Sequence, residues 1–417
     1  MTTLLSTRHR APARARPNCH AEATAVSTSL ATEIYVRCAP VASAAGRGDC
    51  LRQTRVLYKS LGGLLRQAGA EMGDVVVEKA YFRNLAGDLA DFQEVRRRAY
   101  RKWGVTGERL PATTYLGQAP CCAGQDIELQ AYAIVPRKPG AVRVEPLSPS
   151  REHTTAKLLE VGTARHLYVS SVEGRPQRGG GAAGGNGHLP GPFGEESDAA
   201  WETALELVRS QGVPFRDVVR TWIYLDDIDR DYDALNASRN AFFEREGVTR
   251  LPGSTGIGGF QHPLGNRMCI DVYALMNPEI ADIEVMHTPT LNEAAEYGSS
   301  FSRGMKMALP EQTYLFISGT ASVDEYGATL HTGDVRRQID RMLLNIEELL
   351  RPHGASWADL AHGVTYLKSA RYYGLYRQMC AERGMIDVPH TIVVADVCRP
   401  ELLVEIEGIA FSRRAEH

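Results

Sequence analysis

One small α/β unit is written three times along this chain, and a repeat of that size restricts both the fold and the places where a site can form. Each copy reads as a strand, a helix with apolar residues at helical spacing, a second strand, another helix and a closing strand pair. In the first copy the helix is expected over 55–68, the strand over 74–82 and the closing pair over 112–117 and 127–134. In the second, the helix is expected over 198–210, the strand over 217–225 and the closing pair over 254–259 and 269–275. The third offers a helix over 335–350, strands over 360–367 and 388–397, and a final strand over 402–411. Aligning the acidic residues Glu128, Asp271 and Glu405 gives offsets of 143 and 134 (271 − 128 and 405 − 271), each the length of one small domain.

The residue phases agree with this division. Ile339, Met342, Leu343, Ile346, Leu349 and Leu350 recur at i, i+3, i+4 and i+7, one apolar stripe that must lie on a sheet. Along the final strand Val404, Ile406 and Ile409 are set against Glu405, Glu407 and Gly408, so one face is apolar and both carboxylates share the other. The partition expected is a disordered leader (1–30), a first unit (31–138), a linker (139–152), a second unit (153–278) and a third (279–417). The Gly-rich tract 178–192 reads as a flexible insertion; no Lys-Ser/Thr follows its glycines, so it is not a phosphate-binding loop.

Three groups of residues carry a resemblance to the RidA (YjgF) superfamily. They are Phe301-Ser302-Arg303-Gly304-Met305-Lys306, Phe316-Ile317-Ser318-Gly319-Thr320 and Val404-Glu405-Ile406-Glu407-Gly408, supported by Gly333–Gln338 and, in the first copy, by Arg52–Arg55, 68–70 and 74–76. The resemblance implies an α/β (α+β) fold of the chorismate-mutase-like kind. Members of that superfamily assemble as trimers with a site at each subunit interface, so three tandem RidA-like units imply an intramolecular pseudo-trimer, a monomer or weak dimer as a particle.

Copies two and three resemble a narrower family, the chorismatases, which cleave chorismate in bacterial secondary metabolism. The matching residues are Arg220–Tyr224, Thr255–Gly259, Glu296-Tyr297-Gly298, His331–Val335, Tyr366-Leu367-Lys368, 395–397 and 402–408, within about residues 160–411. The unit in front stands outside that expected pattern. The resemblance implies Glu405 as catalytic acid, with Arg303, Tyr297, Ser318, Gly319, Thr320 and Lys368 binding a small carboxylate-bearing substrate, and neither cofactor nor metal. Imine hydrolases of the superfamily grip substrate with an Arg upstream of the closing motif. Here that neighbourhood holds Thr113, Ser254 or Thr255, and His390 or Thr391.

The residues themselves support an acid. Flanked by Val404 and Ile406, the Glu405 carboxyl would be desolvated and its pKa raised. Glu128 with Gln130 and Asp271 with Tyr273 differ from Glu405 with Glu407, so the three sites cannot be equivalent and one is expected to work. Lone histidines His262 and His390, and Trp222 and Tyr224, read as structural. A net charge of −3 opposes a nucleic-acid surface. No apolar run is long enough to span a membrane. Eight cysteines without metal or disulfide-framework spacing point to a reduced cytoplasm. Two other functions fit these features: an imine or enamine hydrolase, tautomerase or cyclase, and a non-catalytic small-molecule binder.

Overall fold

The structure, a computed structural model, describes residues 7–11, 19–41, 49–148, 152–174, 192–385 and 388–412. The first stretch supplies strands β1 (Thr7–Ala11), β2 (Cys19–Ser27), β3 (Ala31–Pro40), β4 (Val75–Phe82), β5 (Ala112–Gly117) and β6 (Ile127–Pro136). The middle supplies β7 (Val142–Leu147), β8 (Thr155–Val161), β9 (Ala164–Glu173), β10 (Val218–Leu225), β11 (Gly253–Gly258), β12 (Phe260–Gln261) and β13 (Met268–Leu275). The last supplies β14 (Asp282–Val285), β15 (Gly304–Ala308), β16 (Thr313–Ala321), β17 (Leu360–Leu367), β18 (His390–Val394) and β19 (Val404–Ser412). They form three sheets, ordered β1-β2-β3-β6-β4-β5-β12, β11-β10-β13-β9-β8-β7 and β14-β15-β16-β19-β17-β18.

Each sheet shares a four-strand core, β3-β6-β4-β5, β9-β13-β10-β11 and β16-β19-β17-β18, whose last pair is parallel and joined by a crossover helix. The fold is thus α+β, three RidA-like units arranged as a pseudo-trimer within one chain. The helices are α1 (Cys50–Gln67) and α2 (Leu85–Arg101), α3 (Phe193–Ser210) and α4 (Ile228–Arg245), and α5 (Val335–Leu350) and α6 (Tyr373–Glu382).

Helix starts are set by caps: the Asp49, Asn84, Asp227 and Asp334 side chains accept from the third backbone N–H beyond them. Asp49 explains why α1 begins at Cys50 rather than at 55. In α5 the stripe Ile339, Met342, Leu343, Ile346, Leu349 and Leu350 is fully buried against the third sheet, each side chain contributing about 1.5–3 kcal/mol. Helices cover one face of every sheet, and the opposite faces meet along a common axis, where Tyr35, Tyr132, Tyr273, Phe316 and Phe411 pack together.

Several expectations are corrected. The leader is not wholly unstructured: β2 pairs with β3 along its whole length, Cys19 with Pro40 through Ser27 with Thr32. Its Ala, Thr and Ser residues give little apolar signal, and backbone pairing holds it. The expected linker contains β7, an edge strand on β8. β12, from the middle stretch, pairs with β5 of the first sheet and so crosses the expected partition. The tract 178–191 lies outside the described residues.

Strand register also revises the alignment of the copies. Tyr81 stands opposite Glu128, Tyr224 opposite Cys269 and Tyr366 opposite Glu405. Cys269, not Asp271, therefore occupies the Glu405 position, with offsets of 141 and 136 (269 − 128 and 405 − 269). Asp271 corresponds to Gln130 and Glu407. On β19 the helix-facing residues include Val404, Ile406 and Ala410, while Ile409 points to the axis and borders the same central space as Glu407.

Candidate active site

Glu405 sits on the central strand β19, between Ala321 of β16 and Tyr366 of β17. β16 breaks register between Ile317 and Thr320, so Ser318 and Gly319 bulge toward the second unit. Ser318 locks the contact: its Oγ donates to Ser302 O (2.6 Å) and accepts from Ser254 N (2.9 Å). Thr320 Oγ1 donates to Ser318 O at 3.0 Å. Gly319 lies under the Glu405 carboxyl, where a side chain would have no room.

A cavity of about 30 Å³ opens between the second and third units, bordered by Arg239, Tyr232 and Ser254 on one side and by Arg303, Phe301, Gly319, Cys398, Arg399 and Glu405 on the other. Arg303 is 4% exposed and is held by Asn292, Nε to O at 2.8 Å and Nη2 to Oδ1 at 3.1 Å. Arg239 comes from α4, is 2% exposed, and donates from Nη2 to Asn236 Oδ1 at 2.6 Å. Both guanidiniums lie over the Phe301 ring, at 5.7 Å for Arg239 and 5.5 Å for Arg303. Arg399 is anchored to Gly327 O at 2.7 Å.

Burial, then the negative charge of Glu407, pushes the Glu405 carboxyl up to about 8, against the pull of Arg303 and Arg220. Among the described residues none donates a hydrogen bond to Glu405. Glu407 is different: Oε2 accepts from Arg220 Nη2 (2.6 Å) and Thr255 Oγ1 (2.5 Å), and Oε1 from the Tyr366 hydroxyl (2.9 Å). One strand face thus carries a carboxyl that favours its proton beside one held by three donors.

The corresponding places in the other units are closed to this chemistry. Glu128 is clasped bidentately by Arg37, Nε to Oε1 at 2.5 Å and Nη2 to Oε2 at 3.1 Å. β3 pairs with β6 without the bulge that β9 and β16 carry, and Arg37 fills the space. In the second unit Cys269 has a thiol pushed well above its usual range by burial.

Of the residues singled out from sequence, Glu405, Arg303 and Gly319 border the cavity, Ser318 belongs to the bulge, and Thr320 bonds back to it. Lys368 does not join them; its Nζ donates to Pro400 O at 2.9 Å and faces Asp396. The Tyr297 backbone belongs to a 3-10 turn, and its side chain lies outside the described residues. Arg239 was missed, although its position in α4, on the stripe Leu235, Ser238, Arg239, Phe242 and Phe243, marks it as a cation on a buried face. Among the described residues no three His, Cys, Asp or Glu side chains gather as a metal site, and no helix is long and apolar enough to cross a membrane. A second, larger cavity on the axis has its cations already paired, Lys79 with Asp271 and Arg220 with Glu407. The raised carboxyl of Glu405 makes the smaller cavity the better candidate for acid chemistry.

Comparison with known proteins bears on the same units. A family model described as Endoribonuclease L-PSP matches residues 295–412. A 3-hydroxybenzoate synthase of Streptomyces hygroscopicus is 30% identical over 254 residues, covering 54% of this chain and 72% of that protein. A chorismatase of the same species is 30% identical over 247 residues, covering 52% and 68%. The crystal structure of a chorismatase superposes with a TM-score of 0.58 at 20% identity, covering 81% of this chain and 93% of the other. Residues 153–417 make up only 265 of 417, or 64%, so the shared fold reaches into the first unit, which is not the departure expected from sequence.

Proposed function

We propose, from the premise that this chain belongs to the chorismatase family, that it cleaves the enol ether of chorismate or a close relative and releases pyruvate, with Glu405 as the acid. The chain is an enzyme of chorismatase type; the reaction and the roles of its residues are the proposal. The observation that carries it is the Glu405 carboxyl, raised to about 8 beside two buried guanidiniums.

Protonated Glu405 gives its proton to the methylene carbon of the enolpyruvyl group, and the ether carbon becomes an oxocarbenium ion. Water adding at that carbon forms a hemiketal and returns a proton to the Glu405 carboxylate. Collapse of the hemiketal breaks the ether bond and yields pyruvate with a dihydroxycyclohexadiene carboxylate. If a neighbouring ring hydroxyl captures the cation instead, loss of pyruvate and aromatisation give a hydroxybenzoate, with no net consumption of water. No step calls on a cofactor. Arg239 and Arg303 suit the two carboxylates of such a substrate, since a guanidinium binds a carboxylate through its planar fork. At about 30 Å³ the cavity holds only a few waters, so substrate entry requires the segment around Phe301 to move outward. That segment is tied to α4 through Asn240, which donates to Gly298 O at 2.9 Å and accepts from Ser300 Oγ at 2.6 Å.

Imine hydrolysis is the second reading, and the positions that would supply its Arg argue against it. Thr113 is bonded to Arg96 at 2.6 Å, Ser254 to Thr221 at 2.8 Å, and His390 to Thr365 at 2.7 Å. A purely binding role would not call for a carboxyl that holds its proton near neutral pH. The deciding experiment is pyruvate release from chorismate by the wild type and by Glu405→Gln. A folded variant is expected to lose about 10²–10⁴-fold in kcat. Wild-type turnover in the variant would reject the assignment.

A further inference from the structure

The inward residues of the three sheets stack in levels along the axis. By register, Tyr81, Tyr224 and Tyr366 form one level, and Gln130, Asp271 and Glu407 form the next. Glu33, His166 and Tyr314 form the last. The first and last levels are buried; the Tyr314 hydroxyl donates to Glu33 Oε1 at 2.5 Å, and the His166 ring lies 6.3 Å from that of Tyr314. Between them lies a cavity of about 100 Å³. On a scale where one water needs roughly 10–15 Å³, this space takes several waters or one single-ring molecule.

The walls define what would be welcome there. Tyr35, Tyr132, Tyr168 and Phe316 supply aromatic surface. The internal charges are compensated: Lys79 Nζ lies 3.3 Å from Asp271 Oδ2 and 4.1 Å over the Trp222 ring, and Arg220 lies 2.6 Å from Glu407. An incoming anion would find each cation engaged and would be buried without a counter-charge. His362 borders the cavity, 6.1 Å from the Tyr35 ring, and its ring nitrogens make no hydrogen bond to a described residue. Burial, then Lys79, pushes its pKa down to about 3, so the imidazole is neutral, with one donor and one acceptor.

We propose that the axial cavity is a second ligand site, separate from the one at Glu405, that takes a neutral single-ring phenol with its hydroxyl on His362 and its ring among the tyrosines. A hydroxyl both donates and accepts, which matches a neutral imidazole, and the ring replaces weakly held water against aromatic walls. Both ends of the axis are closed by buried side chains, so entry requires the sheets to breathe and is slow relative to binding at the surface.

Calorimetry on the full chain with phenol is expected to give saturable binding at one site, with benzoate at least about tenfold weaker, a difference worth roughly 1.4 kcal/mol. Crystals soaked in 4-bromophenol are expected to show the bromine anomalous peak inside the axial cavity. Val77→Phe, which fills the cavity from β4, is expected to abolish phenol binding while leaving pyruvate release from chorismate unchanged. His362→Leu is expected to weaken phenol about tenfold, the worth of one hydrogen bond, without weakening benzene. It serves as the discriminating variant should Val77→Phe fail to fold. A bromine peak only beside Glu405, no saturable phenol binding, or unchanged phenol affinity in either folded variant would overturn the proposal.

Discussion

Gly319 and Glu405 compete for one small volume: a Cβ added at residue 319 would meet Glu405 Oε1 at less than contact distance, with Thr255 Cγ2 3.2 Å away on another side. Glycine is required there for room, and the carboxyl rests against bare backbone. Gly319→Ala is therefore expected to push the acid off its position and lower kcat on chorismate by about 10²-fold, as ~1 Å misplacements do. Overpacking should cost about 1–3 kcal/mol of stability. Steady-state assay beside thermal melting tests this, and an alanine variant with undiminished kcat would show that the carboxyl position does not matter.

The raised Glu405 carboxyl fixes the direction of two pH dependences. An acid that must carry its proton gives a kcat/KM that is level below about pH 8 and falls above it. Stability follows the same group. Between the ordinary glutamate value of 4.5 and about 8 the folded chain keeps a proton that the unfolded chain has lost, so stability declines as pH rises through that window. Glu405→Gln lacks this decline, and its margin over wild type should grow from pH 5 to pH 9 in denaturant melts. A constant margin would mean that the carboxyl ionises normally.

Arg239 and Arg303 are expected to act on binding more than on chemistry. Replacing either by Lys keeps the charge and loses the planar fork. KM should rise about tenfold for each, with a smaller change in kcat, the expected loss of one charge-assisted hydrogen bond. Unchanged KM in both variants would remove them from the substrate site.

Hydrolysis of 2-aminoacrylate-derived imines should be negligible. Thr113, Ser254 and His390 stand where an Arg would be needed, and each is already hydrogen-bonded within the fold. Ammonia release from a freshly generated imine measures this directly, and efficient turnover would restore the hydrolase reading.

The legible parts of the sequence were those with strong periodicity. The α5 stripe and the Val404–Ile406 alternation announced a helix on a sheet and a carboxyl at its centre. The alignment error at Asp271 has a physical origin: a shift of two residues keeps a strand's facing unchanged, so parity could not distinguish Cys269 from Asp271. Only the cross-strand partners Tyr224 and Trp222 settle it. Lys368 follows two residues after Tyr366, the cross-strand partner of Glu405, but spends its ammonium on Pro400. Arg239 lies far from the motif and is brought to Glu405 by packing between units. Its signal was an arginine on an apolar stripe.

The level formed by Glu33, His166 and Tyr314 has a consequence for how such a molecule can change. Three identical subunits around an axis must repeat every residue there three times, so one acidic side chain becomes three that repel. In a single chain that runs round its own axis, a substitution appears once. A glutamate can then sit among the hydroxyls of Tyr35, Tyr132 and Tyr314, with Gln312 donating as well, and need not face its own copies. Covalent continuity thus frees each of the three interfaces to drift apart, with one holding a raised carboxyl, one a thiol and one a closed ion pair.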